Sequence, residues 1–294
     1  MTQPIWQIKK EMCDVGNRIW QKGFCAGNEG NHSVRISEDR VLCTPTGISK
    51  GFLTPDDMCV VDMEGKQVED NAKGRKRTSE VLVHLAIYKA RPNVNAVIHS
   101  HPPHATAFAI ANIPLPEGVH PEAEVFLGKV PVARYATPST PDLPASIVEL
   151  LQPDTNTVLM GNHGSVSFDK TLIDTYYKLE ILDAYCRILL LCKQIGKMNT
   201  LNNSQMTELL EVKEKFGFHD DRLACAPTGC VGQGNDAFLA TFDVRPSSAS
   251  CSCNGGTAQH HNTPAAQNSQ PQGDPAFEAM VRAITNQIMA NARN

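Results

Sequence analysis

Two histidines stand two residues apart in Val97-Ile98-His99-Ser100-His101, at the end of an apolar run that reads as a strand. The two-residue period of a strand turns both imidazoles to one face, as two ligands of a single metal require. A third imidazole, His163, lies in Gly161-Asn162-His163-Gly164, just after the apolar segment 157–160. Three neutral imidazoles leave a tetrahedral zinc one open position, the arrangement used for Lewis-acid chemistry. Taken singly, each of these residues is also what a hydrogen-bonded core or turn histidine looks like. His104 extends the run to His-x-His-x-x-His, but it follows Pro102-Pro103 and opens the next helix, so a supporting role at a helix start is expected of it. His32, His84 and His120 have no comparable pairing and read as core or hydrogen-bonding residues.

Three polar turns could hold an anion. Gly27-Asn28-Glu29-Gly30-Asn31-His32-Ser33 joins a first helix to a strand, with Gly30 permitting close backbone approach and Asn31 and Ser33 supplying donors. Thr44-Pro45-Thr46-Gly47 is a second turn of this kind. Thr78-Ser79-Glu80 opens a helix, where free N–H groups and the helix dipole favour a phosphate. Converging on one pocket, the three would bind a phosphate monoester without a P-loop, although each alone is also ordinary turn and cap chemistry. Glu80 adds a carboxylate suited to general acid/base work beside a metal, and equally suited to the first turn of any helix.

Elements of regular spacing must carry these turns. Ile5, Ile8, Met12, Val15 and Ile19 form one face of an opening helix that stops at Gly23. Strand-like pieces follow at 33–36, 40–43, 58–62, 95–99, 130–133 and 157–160, with a helix expected over 78–90. A long helix is expected over 169–195, with Leu172, Tyr176, Leu179, Leu182 and Leu189 facing inward. Mixed elements without regular βαβ alternation imply an α/β fold with a largely antiparallel sheet over residues 1–217.

Composition narrows the function classes. The 294 residues carry 27 basic and 31 acidic side chains, a net charge of −4, which argues against a nucleic-acid binder held by phosphate contacts. No apolar run approaches the ~20 residues that span a bilayer, and no basic region followed by an apolar stretch marks a secretory signal. A cytoplasmic protein is expected, with Cys13, Cys25, Cys43, Cys59, Cys186 and Cys192 as reduced, mostly buried thiols. Cys225-x4-Cys230 and Cys251-x-Cys253 match no strong zinc spacing and read as free thiols in a mobile extension, a small metal site or redox pair being the alternative.

From Pro246 to Gly273 there is no charged residue and no large apolar one. Such a segment cannot bury enough surface to offset its ordering entropy, so 218–273 is read as an extension running into a flexible linker. Asp274-Pro275 then opens an amphipathic helix over 274–294, striped by Phe277, Val281, Ile284 and Ile288. With Arg282 and Arg293 as its only basic residues, it has no polybasic face for a membrane.

In this order, Gly30-Asn31-His32-Ser33-Val34-Arg35, Thr44-Pro45-Thr46-Gly47, Thr78-Ser79-Glu80, His99-Ser100-His101 and Asn162-His163-Gly164 resemble the class II aldolase/adducin family. The resemblance spans about residues 8–195. It implies a three-layer α/β sandwich assembled as a homotetramer with sites between subunits. It implies one zinc ion per subunit on His99, His101 and His163, with Glu80 as acid/base and a further ligand. Asn28, Gly30, Asn31, Thr46, Gly47, Thr78 and Ser79 then hold the substrate phosphate. The implied reaction is retro-aldol cleavage of a ketose 1-phosphate, of fuculose or rhamnulose type, to dihydroxyacetone phosphate and lactaldehyde. A sugar-phosphate 4-epimerase running the same bond cleavage is the alternative, and a non-catalytic adducin-like assembly module is a third reading, disfavoured by the intact histidines.

Two departures from the family stand out. Pro121-Glu122-Ala123-Glu124 follows His120 where a tyrosine proton donor is expected, and no tyrosine occurs after Tyr185. Glu122 or Glu124 is therefore the candidate for proton transfer at the leaving aldehyde. The linker and terminal helix together resemble the encapsulation peptides of bacterial microcompartments, which implies docking of 274–294 on a shell or cargo protein; a helix packing back on its own oligomer is the plainer alternative.

Overall fold

The computed structural model describes residues 3–242. The linker, the helix expected over 274–294, and Cys251 and Cys253 lie outside the described residues.

The opening helix α1 (Ile5–Gln21) buries Ile8, Met12, Val15 and Ile19, spaced four, three and four apart as a single stripe. Seven strands follow: β1 (Asn31–Arg35), β2 (Arg40–Cys43), β3 (Cys59–Asp62), β4 (Ala96–Ser100), β5 (Val132–Ala133), β6 (Thr157–Met160) and β7 (Gly164–Asp169). They form one sheet in the order β3-β2-β1-β4-β7-β6-β5. Every pairing is antiparallel except that of β5 with β6.

Alternation along the strands sorts two apolar faces. Val41, Cys43, Val61, Val97, Val158 and Phe168 pack under α2 (Val81–Ala90) and α5 (Asp142–Val148). Leu42, Val60, Ala96 and Ile98 lie on the opposite face, covered by α1 and the first half of α6 (Leu172–Ile195). Leu159 continues that face beneath α3 (Pro103–Ala111), α4 (Pro121–Phe126) and the second half of α6. Residues 3–242 thus form a three-layer α/β sandwich, with helices on both faces of the sheet.

Three features depart from the sequence reading. The long helix starts at Leu172, not at Asp169, which ends an unforeseen strand, Gly164–Asp169. The Thr171 hydroxyl caps the helix by accepting the Asp174 N–H, which sets its start. Helix α2 begins at Val81, three residues after Thr78, with Glu80 as its N-cap. After α7 (Asn203–Lys215) the folded body also continues past residue 217: in α8 (Asp236–Leu239) Phe238 stacks on Phe108 at 5.9 Å between ring centroids.

The cysteine expectation divides. Cys13, Cys25, Cys43, Cys59, Cys186 and Cys192 are free, and four of them are buried. Cys225 and Cys230, expected as free thiols, are joined in a disulfide; the three-residue turn Ala226–Thr228 brings their Cα atoms to 5.6 Å.

Candidate active site

The end of β4, the β6–β7 hairpin and the N-terminus of α2 meet at one point. His99 shares the sheet face of Val97, the face that α2 covers. His101 follows on the same period just past the strand. The hairpin pairs Met160 with Gly164 and lifts His163 from its turn, where Asn162 takes a left-handed φ of 55°. Asparagine tolerates that conformation better than most side chains. The ring centroids of the three histidines are 4.7–5.1 Å apart, and a ligand atom from each falls within 4.8 Å of the others. Glu80 makes no side-chain cap to its own helix; its carboxylate reaches across instead, Oε2 to 3.3 Å from His99 Nε2 and Oε1 to 3.6 Å from His163 Nε2.

The protonation pattern suits a cation. His99 Nδ1 donates to the Ser165 carbonyl oxygen at 2.9 Å, and His101 Nδ1 donates to Glu29 Oε2 at 2.7 Å. With those protons assigned, both Nε2 atoms are bare lone pairs, yet they lie 3.1 Å apart. Two acceptors at that distance repel unless a positive centre sits between them. His163 Nδ1 is buried and has no hydrogen-bond partner among the described residues. Burial first, then the neighbouring His101 and His163, holds His99 well below the usual imidazole range; burial lowers His163 as well. Neutral rings are the ligand form, and each outer Nδ1–H partner fixes its ring as it is fixed in metal sites generally. The residues therefore fit a bound divalent metal.

The three polar turns do converge. Thr46 N–H donates to the Lys76 carbonyl and Thr78 N–H to the Thr44 carbonyl, so the second and third turns run side by side as a short antiparallel bridge. Lys50, 1% exposed, donates from Nζ to Asn28 O at 2.9 Å and Ile48 O at 2.6 Å, tying the first turn to the second. Gly30 adopts φ +72° where an added Cβ would stand 3.1 Å from the His99 carbonyl oxygen, which accounts for a glycine there. Register completes the arrangement, since Asn31 pairs with His99 across β1 and β4.

The model of the class II aldolase and adducin N-terminal domain family matches residues 10–190. The chain belongs to that family. An L-fuculose phosphate aldolase of Methanococcus vannielii is 36% identical over 179 residues, 61% of this chain and 93% of its own length. A 3-oxo-tetronate 4-phosphate decarboxylase of Haemophilus influenzae is 30% identical over 205 residues, 68% of this chain and 95% of its own. A solved L-fuculose 1-phosphate aldolase superimposes with a TM-score of 0.63 at 30% identity, over 72% of this chain and 97% of that one.

The remaining candidates scatter. His104 opens α3, with its N–H and Nδ1 both held by Asp183 at 2.9 and 2.8 Å. Glu122 is exposed and lies 3.4 Å from His120. Glu124 is buried; its Oε1 accepts the Gly118 N–H at 2.6 Å and its Oε2 meets Arg222 at 3.0 Å. Burial raises its carboxyl above the usual range, against the pull of Arg222. Neither glutamate contacts the histidines or Glu80 among the described residues, because α4 faces α6 and α7. Glu29 and Lys50 were not foreseen as site residues. Glu29 sits inside a turn already marked, where a carboxylate two residues from Asn31 was a usable signal; nothing local marked Lys50, whose partners are backbone carbonyls. A cavity of about 740 Å³ lies apart from all this, between α6 and the end of α7, with none of the three histidines in its wall.

Proposed function

We propose that this chain is a zinc-dependent aldolase that cleaves a ketose 1-phosphate of the fuculose or rhamnulose type to dihydroxyacetone phosphate and lactaldehyde. The observation that carries the reading is a carboxylate, Glu80, set 3.3 and 3.6 Å from two of three clustered imidazoles, beside the three converged polar turns. His99, His101 and His163 would hold the metal, with Glu80 in reach. When bound, it supplies Lewis acidity toward the substrate's carbonyl and adjacent hydroxyl oxygens.

The chain's own residues do the rest. Backbone N–H groups of Gly30 and Gly47, the Asn31 amide and the hydroxyls of Thr46, Thr78 and Ser79 hold the phosphate, with Asn28 at the rim. That anchoring presents the bond to be broken beside Glu80. When the bond breaks, its electron pair stays on the three-carbon fragment, and Glu80 returns a proton to that carbon. The aldehyde-side hydroxyl gives up its proton to a group this arrangement does not include; Glu122, exposed on α4, is the proposal for that step from a neighbouring copy, whereas Glu124 is committed to Arg222 and the Gly118 N–H. As part of the same proposal, four copies assemble with sites between subunits, and residues 274–294 dock on a microcompartment shell or cargo protein. These two parts are supported by resemblance alone.

A panel of ketose 1-phosphates, assayed for released dihydroxyacetone phosphate with a coupled reductase, tests the reading. Turnover of 6-deoxyketose phosphates, abolished in His99→Ala together with bound zinc, is the expected result. An epimerised ketose phosphate as the sole product would replace the aldolase with the epimerase. The Haemophilus relative's name makes carbon dioxide release from a 3-oxo acid phosphate the other outcome to measure, since decarboxylation leaves the same kind of stabilised carbanion. Light scattering of the intact chain checks for four copies, and diffuse fluorescence of a 274–294 fusion in shell-producing cells would count against docking.

A further inference from the structure

Behind Glu80 runs a string of buried polar groups that the cleavage steps do not use. Asn31 Nδ2 donates to Glu80 Oε2 at 3.0 Å, and Asn31 Oδ1 lies 2.6 Å from His84 Nε2. His84 Nδ1 is 2.7 Å from Ser33 Oγ, which is in turn 2.8 Å from the Tyr88 hydroxyl. Asn31, Ser33, His84 and Tyr88 are all buried, Ser33 and His84 completely.

Such a string has two possible polarities. In one, the Asn31 amide turns its NH2 to the carboxylate, His84 carries its proton on Nε2, and the Ser33 hydroxyl donates to Nδ1. In the other, every donor and acceptor is reversed, and the amide oxygen faces the Glu80 carboxylate. Two acceptors would then confront each other in a dry site, at a cost of about 1–3 kcal/mol or more for a charged group. Only the first polarity is consistent with the charge on Glu80. His84 is the residue that selects it, because its ring can present a single proton to Asn31 only from Nε2. Burial brings that ring down to about 3, so it stays neutral and its Nδ1 remains an acceptor.

We propose that His84 is a positioning residue of the acid/base apparatus: through Asn31 it pins Glu80 Oε2 with a donor and leaves Oε1, the oxygen on the His163 side, to exchange protons with substrate. The inference rests on the reading of Glu80 given above. It also gives Asn31 a double duty. One amide hydrogen is committed to Glu80, and the second remains for the phosphate that the turn is expected to bind.

Exchange of a carbon-bound hydrogen of dihydroxyacetone phosphate with deuterium from solvent reads the Glu80 step alone and needs no aldehyde. The zinc-loaded full-length protein is compared with Glu80→Gln, His84→Leu, His84→Gln, Asn31→Ala and the Asn31→Ala/His84→Leu pair. His84→Leu is expected to slow the maximal exchange rate about 10- to 100-fold, with bound zinc and the KM for dihydroxyacetone phosphate within about twofold. His84→Gln, whose amide can still donate to Asn31, should recover most of the rate. The double variant should be no slower than Asn31→Ala, because a residue acting only through Asn31 has nothing further to lose. If His84→Leu does not fold, Ser33→Ala takes its place, with an expected slowing of about threefold and the same non-additivity. Additive losses, a Gln variant no better than Leu, zinc lost from His84→Leu, or exchange in His84→Leu equal to wild type each overturn the inference while leaving the Glu80 reading intact. Exchange unaffected by Glu80→Gln overturns both.

Discussion

Gly164 and His101 compete for the same few cubic ångströms. A Cβ built on Gly164 would fall on the His101 ring and 2.7 Å from the Ser100 carbonyl oxygen, so the residue after His163 has to be glycine for His101 to lie where it does. Gly164→Ala is therefore expected to displace one imidazole without removing any ligand, lowering zinc affinity about 10- to 100-fold, as losses of supporting contacts do. Competition with a chromophoric chelator measures it; zinc affinity unchanged from wild type would show that His101 is not a ligand in this geometry. At this scale the sequence was highly legible for the histidines, whose spacing alone placed two on one face. It was less so for Glu29 and Ser165, which orient His101 and His99 through contacts that need the folded chain.

Between residues and fold, the elements decide how far each group can reach. Glu80 can cross to the histidines because it ends up as the N-cap of α2 with its side chain unspent on the helix, whereas a helix starting at Thr78 would have turned it along the helix surface. The expected start was early because Thr78 and Ser79 are good capping types, and a Thr44–Thr78 backbone pairing overrides that local preference. Strand β7 was hidden although Val166 and Phe168 alternate with Ser165 and Ser167: two apolar residues make a weak period-two signal, and both serines are buried on the opposite face. Lys50 binds two of these elements through their carbonyls, and burial lowers its ammonium below the usual lysine range. Replacing it by methionine in Lys50→Met leaves both carbonyls unpaired. The expected outcome is a loss of about 1–3 kcal/mol in stability and a rise of about tenfold in the KM of phosphorylated substrates as the turns part. A KM unmoved in steady-state assays would separate Lys50 from substrate binding.

Over the whole molecule, two buried polar systems bear on stability, one of them running up to the site. Arg222 holds Glu117, Glu124 and Asp220 in one cluster with Lys213, tying the segment after α7 to α4. Removing the guanidinium in Arg222→Ala strands buried carboxylates, and about 3–5 kcal/mol of stability should go with it in urea melts. A loss under 1 kcal/mol would mean that water already reaches the cluster. The second system is His32 and His84, each brought from 6.5 to about 3 chiefly by burial. Between those values the unfolded chain binds protons that the native state refuses. Their stabilisation is complete above pH 6.5 and is lost as pH falls toward 3, with a slope of about 1.4 kcal/mol per pH unit for each ring. Urea midpoints of the metal-free protein at constant salt should fall steadily between pH 6.5 and 5, a window above the carboxylate range. A flat profile there would mean that these rings are not buried as neutral groups.

Family, layer architecture and metal-ligating residue types were all present in the one-dimensional pattern, because ligand spacing, turn chemistry and apolar periodicity are properties of residues near one another along the chain. What took three dimensions was partnership across long separations. Glu124 became a buried partner of Arg222, and Lys50 joined two turns. Asn31 came to stand between Glu80 and His84, 49 and 53 residues away. Such contacts depend on sheet register and on which face of a helix is covered, and neither leaves a signature in the local sequence.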